Sequence, residues 1–288
     1  MKLALGTVQF GLPYGISNQS GQVSFDCVSE ILKQAWQAGI NTLDTAIAYG
    51  QSEQRLGEIG VSQWRVISKL PAIPELCTDI AAWVQKAVLD SLARLKVTTL
   101  YGLLLHRSDQ LLMPQGETLY RALITLKEQG QVNKIGISVY DPSELEAIFP
   151  HFPFDLIQAP FNILDRRLLT SGWLTKLHQN RVEVHTRSAF LQGLLLMDAA
   201  KRPAKFNRWQ SLWDEWHFWL NSEGLTPLQA CLGFVMSQPE IDRVLVGMDN
   251  IKQLHEILDV VKIQSRPVPL SLITHDLNLL NPSNWDSL

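Results

Sequence analysis

The sequence predicts a parallel (β/α)8 TIM barrel occupying residues 1–288 as one domain. Three observations lead there. Short apolar runs alternate with amphipathic helical stretches almost from end to end, the pattern of a parallel sheet wrapped in helices. The first strand leads into Gly6-Thr7-Val8-Gln9-Phe10-Gly11, which lacks the GxGxxG spacing of an open dinucleotide-binding sheet. Polar residues stand at the carboxyl ends of consecutive strand candidates, the face where a barrel gathers its working groups.

The strand candidates are Leu3–Thr7, Thr42–Asp44, Val66–Lys69, Leu100–His106, Lys134–Ser138, Leu156–Gln158, Val182–Thr186 and Arg243–Val246. They are short and mostly apolar, as strands covered on both faces are. Between them, Phe25–Ala38, Ile80–Leu95, Gly116–Gln129 and Ile251–Val261 repeat apolar residues at three- and four-residue spacing, the period of a helix with one buried face. Ala38-Gly39 and Gln129-Gly130 read as helix ends with glycine in the left-handed cap. Asp141-Pro142-Ser143 reads as a helix start with proline in the first turn. Asp198 to Glu223 is the least regular stretch and is expected to make an excursion over one barrel face. Within it Trp209, Trp213 and Trp216, with Leu212 and Leu220, share one helical face, a pattern assigned to core packing before ligand binding.

Nearly half of the residues, 46%, are hydrophobic and 18% are charged, which argues against disorder. A formal net charge of -3 offers no attraction for nucleic acid or an anionic membrane. No apolar run approaches the ~18 residues needed to span a bilayer. Met1 to Gly11 has no basic region followed by an apolar stretch, so no signal peptide is expected. Cys27, Cys77 and Cys231 are far apart and form no CxxC, which fits a reducing compartment and argues against a disulfide framework or structural zinc. A cytoplasmic protein is the expectation; nothing in the sequence fixes its oligomeric state.

The candidate reactive groups are Asp44, Lys69 and His106, each closing one of three neighbouring strands, with Tyr49 just past Asp44. An ammonium held beside a phenol favours the phenolate and so eases proton donation. A histidine alongside can hydrogen-bond a carbonyl and orient it. Singly, each has a plainer reading: Asp44 as a turn cap, Lys69 as a solvated strand end, His106 as a loop residue, Tyr49 as a turn aromatic. Their convergence on adjacent strand ends favours chemistry. His151, His178, His185, His217, His255 and His275 share no spacing and are read as structural or surface residues. No metal-ligand cluster is evident.

Leu43-Asp44-Thr45-Ala46, Tyr49-Gly50-Gln51-Ser52-Glu53 and Leu56-Gly57 resemble the aldo-keto reductase segment that carries the catalytic Asp and Tyr. Ser68-Lys69-Leu70 resembles that family's strand-three lysine, Leu104-Leu105-His106 its strand-four histidine, and Gly130 to Ser138 its strand-five segment. The likeness runs from Leu5 to about Leu258 in the family's order. It implies a reductase of aldehydes or ketones, sugar-type carbonyls included, that uses NADP(H) by default or NAD(H). Tyr49 would be the general acid, Lys69 and Asp44 would tune it, and His106 would position the substrate. Donors arranged at the developing alkoxide are typically worth ~3 to 4 kcal/mol each.

The resemblance also implies a cofactor site. Thr7 stands at the end of the first strand. Ser138 and Gln158 match the residues that hold the carboxamide, while Val139 stands where the family has Asn. Arg187 takes the place of the usual stacking Tyr, ahead of Ser188, Phe190, Leu191, Gln192 and Gly193. Its guanidinium can stack on the nicotinamide or reach toward a phosphate or the substrate; both readings are open. Gly247, Asp249, Gln253 and Glu256 match the adenosine-phosphate segment. Asp249 either repels a 2'-phosphate and accepts a bond from a free 2'-hydroxyl, leaving NAD(H) a real option, or merely caps the last helix. Phe10 and Tyr14 are expected to line the barrel mouth on the substrate side. The alternative is a non-catalytic, nucleotide-binding or regulatory barrel, against which the intact Asp44, Tyr49, Lys69 and His106 set weighs. A barrel acting on sugar phosphates without nicotinamide is disfavoured, since no glycine-rich phosphate loop follows strands seven and eight.

Overall fold

The computed structural model describes residues 1–288. Its strands are β1 (Leu3–Gly6), β2 (Thr42–Asp44), β3 (Arg65–Leu70), β4 (Leu100–Leu105), β5 (Val132–Ser138), β6 (Leu156–Pro160), β7 (Glu183–Arg187) and β8 (Arg243–Val246). They pair in chain order, all parallel, and β8 closes on β1 to complete the (β/α)8 barrel. Strand limits differ from the sequence reading by a residue or two. The difference that matters is at β7, which runs on to Arg187 because that residue pairs with Pro160 of β6. Arg187 is therefore a strand residue, not the first residue of the loop beyond.

The main helices, Phe25–Gln37, Ile80–Leu95, Gly116–Glu128 and Ile251–Val260, lie where the periodicity puts them. Gly39 and Gly130 adopt φ of +85° and +73°, the left-handed stops expected of them. The Asp141 carboxylate accepts the Ser143 N–H and opens the helix Ser143–Ile148. The Asp198–Glu223 stretch resolves into two short 3-10 turns and then the helix Gln210–Glu223. Trp213 and Trp216 are fully buried and Trp209 and Leu212 are partly buried against the core, so the tryptophan stripe is packing.

Side chains alternate across each strand, so every second residue enters the barrel. Ile67, Leu104 and Leu156 form a small apolar layer there, separate from the main core between strands and helices. At the amino end of the strands, Glu183 accepts from Tyr101 and Lys134 and bonds the buried His185 ring at 2.7 Å. Burial alone would raise the Glu183 pKa, but His185, Lys134 and Tyr101 hold it well below the usual carboxylate range. This polar plug confirms His185 as a structural residue and leaves the opposite end for chemistry.

Candidate active site

The inward period places Lys69 two residues beyond Ile67 on β3, while Asp44 ends β2 in register with Ile67. Lys69 Nζ donates to Asp44 Oδ1 at 2.5 Å and to the Thr45 carbonyl at 2.9 Å. Gln158 Nε2 donates to Asp44 Oδ2 at 2.7 Å. Lys69 is 1% and Asp44 3% exposed and both Asp44 oxygens are taken by Lys69 and Gln158, so neither the solvated strand end nor the turn cap describes them. Burial pulls the Lys69 pKa down, but the Asp44 carboxylate and the Tyr49 side chain outweigh it, and the net shift is upward. The pair is an ammonium–carboxylate couple.

Tyr49 is set against that couple, with Lys69 Nζ 5.1 Å from its ring centroid. His106, directly after β4, meets the Tyr49 ring edge-on at 6.0 Å between centroids. Burial first, then Lys69, depresses the His106 pKa from 6.5 to about 4; Asp44 opposes this, and Arg187 and Arg107 add to it. His106 is thus a neutral imidazole, a hydrogen-bond donor at one nitrogen and an acceptor at the other. The turn bearing Tyr49 is fixed by close packing. A Cβ on Gly11 would lie 1.8 Å from the Tyr49 carbonyl oxygen, and Gly50 turns the chain at φ +53°. Thr7 is buried below this turn, its hydroxyl donating to the Asp44 carbonyl and accepting from Ser52.

A cavity of about 590 Å³ opens over Asp44 and Tyr49. Gln158, Arg187, Ser188, Phe190, Gln192 and Gly193 line it too, as do Gly247, Asp249, Gln253 and Glu256 beyond β8. Ser188, Leu191, Gln192 and Gly193 all have positive φ, at +63°, +48°, +53° and +91°. Such strained backbone costs roughly 1–3 kcal/mol per non-glycine residue and clusters at ligand sites. The segment after β1 straps across the opening. Gln192 Nε2 donates to the Tyr14 hydroxyl at 3.0 Å, Gly193 abuts Ser17, and Asn18 Nδ2 donates to Asp249 Oδ1 at 3.0 Å. Asp249 does not cap the last helix; Asn250 does, accepting the Gln253 N–H. Burial raises the Asp249 pKa, against bonds from Gln253 and Asn18 that lower it.

Four expected contacts fall elsewhere, and the first is His106, which meets Tyr49 but is not among the residues that line the cavity. Phe10 is fully buried in the core because the single turn Val8–Gly11 turns it inward, so it is not a wall of the mouth. Leu191 is likewise 0% exposed, its left-handed backbone directing the side chain into the core. Ser138 lies off the cavity wall, its hydroxyl 3.4 Å from Gln158 Oε1. The sequence reading missed Tyr140, under the Arg187 guanidinium at 4.5 Å, and Gln9, whose Oε1 is buried without a partner beside Gly247. Tyr140 had a usable signal, standing two residues past Ser138 at the end of β5. No three His, Cys, Asp or Glu side chains converge to hold a metal ion.

An eight-stranded parallel barrel thus carries, at the carboxyl ends of its strands, a buried Lys–Asp couple against a Tyr and a neutral His. The Aldo/keto reductase family model matches residues 2–269, and the chain belongs to that family of oxidoreductases. It is 32% identical over 145 residues to the 6-dehydroglucose reductase of Novosphingobium aromaticivorans. That match covers 45% of this chain and 47% of the relative, about half its length. Among solved structures, the aldo-keto reductase AKR11C1 of Bacillus halodurans superposes with a TM-score of 0.73 at 21% identity, covering 92% of this chain and 88% of that one. The glycerol dehydrogenase AKR11B4 of Gluconobacter oxydans gives 0.70 at 23%, covering 92% and 88%. At these identities the two structures speak for the fold. No helix is long and apolar enough to cross a membrane.

Proposed function

We propose that the protein reduces an aldehyde or ketone to the alcohol with a nicotinamide nucleotide, Tyr49 donating the proton. One observation carries this reading: the buried Lys69–Asp44 couple backs Tyr49, with His106 edge-on to it, and Asp44 and Tyr49 open onto the cavity. Its volume falls within the range of small-molecule and cofactor sites. Two features of the wall suit a dinucleotide. The Gln9 Oε1 beside Gly247 is an orphaned buried acceptor, and left-handed turns after β7 favour N–H groups facing an anion. Gln158, with Ser138 behind it, would hold the nicotinamide end; Ser188, Phe190, Gln192 and Gly193 the middle; Gly247, Asp249, Gln253 and Glu256 the adenosine end. Bound there, the nucleotide supplies hydride to the carbonyl carbon.

The chain's own residues handle the oxygen. His106, neutral above about pH 4, donates a hydrogen bond to the carbonyl oxygen and orients it. Tyr49 gives that oxygen its proton, and the Lys69 ammonium opposes the charge left on the phenol oxygen. Asp44, held by Gln158, keeps Lys69 in place. Asp249 and Glu256 line the adenosine end, Glu256 paired with Lys252 at 3.6 Å, and of the two cations on the cavity wall, Arg187 and Lys201, Lys201 is paired with Asp198 at 3.4 Å. A 2'-phosphate would meet carboxylates there, so NADH is expected to bind more tightly than NADPH. A sugar-type carbonyl is the first substrate to test, in line with the relative named for 6-dehydroglucose. We place the protein in the cytoplasm, where its three free cysteines stay reduced.

The test is a titration of the purified protein with NADH and NADPH, followed by quenching of tryptophan fluorescence, and then turnover of an aldehyde panel. Tyr49→Phe should lower kcat by roughly 10²- to 10⁴-fold while nucleotide still binds. If neither nucleotide binds near millimolar concentration, the reductase reading fails. Binding without turnover of any carbonyl would favour the non-catalytic barrel.

A further inference from the structure

We infer that Arg187 selects carbonyl substrates that also carry a carboxylate. This names a substrate class and rests on the reductase reading. The inward column of β7 is Glu183, His185 and Arg187, so the pleat that puts Glu183 in the polar plug puts Arg187 at the cavity. Its guanidinium is half-buried. It donates to the Val139 carbonyl at 3.1 Å, touches Ser188 Oγ at 3.4 Å, and lies over the Tyr140 ring.

No acidic side chain pairs with it, and its neighbours show that this is particular to Arg187. Arg167, which reaches the Tyr140 carbonyl, is bound to Asp141 and Asp165, and Arg107 is bound to Asp109. At the reactive end Lys69 is neutralised by Asp44 and His106 is uncharged, so Arg187 contributes the one uncompensated positive charge. Partly desolvated charges are costly without a counter-ion. A guanidinium with N–H groups to spare matches a planar carboxylate through paired bonds. One net charge fits a monoanion; a phosphate dianion calls for a second free cation, which this end of the cavity lacks. Tyr14, also on the wall, accepts from Gln192 and keeps its own O–H to donate. In the reduction of such an oxo acid, hydride from the nicotinamide adds to the carbonyl carbon, the Tyr49 proton goes to the oxygen, and the carboxylate is unchanged.

The experiment compares kcat/KM for glyoxylate against methyl glyoxylate, and for 4-carboxybenzaldehyde against methyl 4-formylbenzoate, in wild type, Arg187→Lys and Arg187→Met. Wild type should favour at least one acid over its ester by tenfold or more. Arg187→Met should cut that acid-to-ester ratio by roughly 30-fold, chiefly through KM, with Arg187→Lys between the two. An acid-to-ester ratio near one in wild type for both pairs overturns the inference, as does a ratio that Arg187→Met leaves intact while both rates fall. Preference for glyceraldehyde 3-phosphate over every acid would assign the site to phosphate and overturn it too. Ester turnover together with nucleotide binding keeps the reductase reading standing whichever way the ratio falls; loss of both sinks that reading as well.

Discussion

At the scale of single residues, the site is a set of charges whose values depend on burial. Lys69 and Asp44 each cost several kcal/mol to desolvate, and only their mutual bond, with Thr45 and Gln158 completing the shell, makes them tolerable. His106 carries a pH dependence with a definite sign. Its pKa falls from 6.5 to about 4 on folding, so between those values the unfolded chain takes up a proton that the folded protein refuses. Its share of stability is therefore complete above pH 6.5 and is lost as pH falls toward 4. His217, lowered by burial and by Arg202, acts in the same sense, while Glu183 adds its loss at still lower pH. Urea midpoints measured from pH 7.5 to 4 should fall steadily, and His106→Gln should flatten part of that slope. An unchanged slope in the variant would mean His106 titrates normally in the folded protein.

At the scale of elements, Tyr49 is placed by backbone contact. The turn Val8–Gly11 presses on the turn that follows β2, and Gly11 leaves no room for a methyl group against the Tyr49 carbonyl. Gly11→Ala should push the Tyr49 turn off the Lys69–Asp44 couple, at about 1–3 kcal/mol of overpacking. We expect kcat to fall at least tenfold with nucleotide affinity largely kept, read by steady-state kinetics beside a fluorescence titration. Full activity in Gly11→Ala would show that the turn yields without moving the phenol. The contrast explains what was legible in the sequence. Asp44, Lys69 and His106 were legible because polar residues at strand ends are a local pattern, whereas Arg187 came only from the family resemblance and was set one residue past its strand. Phe10 and Leu191 were misplaced because their direction depends on a single-turn helix and on left-handed backbone, neither of which periodicity encodes. The strap from Tyr14 to Asn18, whose Asn18 bonds Asp249 231 residues away, left no local trace either.

At the scale of the whole molecule, the cavity wall is supported from outside the barrel. The excursion after β7 lines the cavity with Leu196, Met197, Asp198 and Lys201, then continues to Phe206 and Trp209. Those two aromatics are held by the carboxyl-terminal tail, which lies beyond residue 269, where the family match ends. Trp285 packs edge-on against Phe206 at 5.0 Å, Lys205 donates to the Trp285 carbonyl, and the Trp209 indole donates to Asp276. Trp285, Leu279 and Leu280 are all buried, so the tail is a buttress and not a loose end. Removing a buried tryptophan costs about 3–5 kcal/mol, because contacts are lost and the space does not refill. Trp285→Ala should lose that stability in urea denaturation. Since the slackened segment lines the cavity but makes no hydrogen bond to Asp44, Lys69 or Tyr49, the nucleotide Kd should rise several-fold while kcat at saturating nucleotide stays within about twofold. Loss of stability with an unaltered Kd would confine the tail to folding; a fall in kcat at saturation would mean that the wall and the Tyr49 end move together.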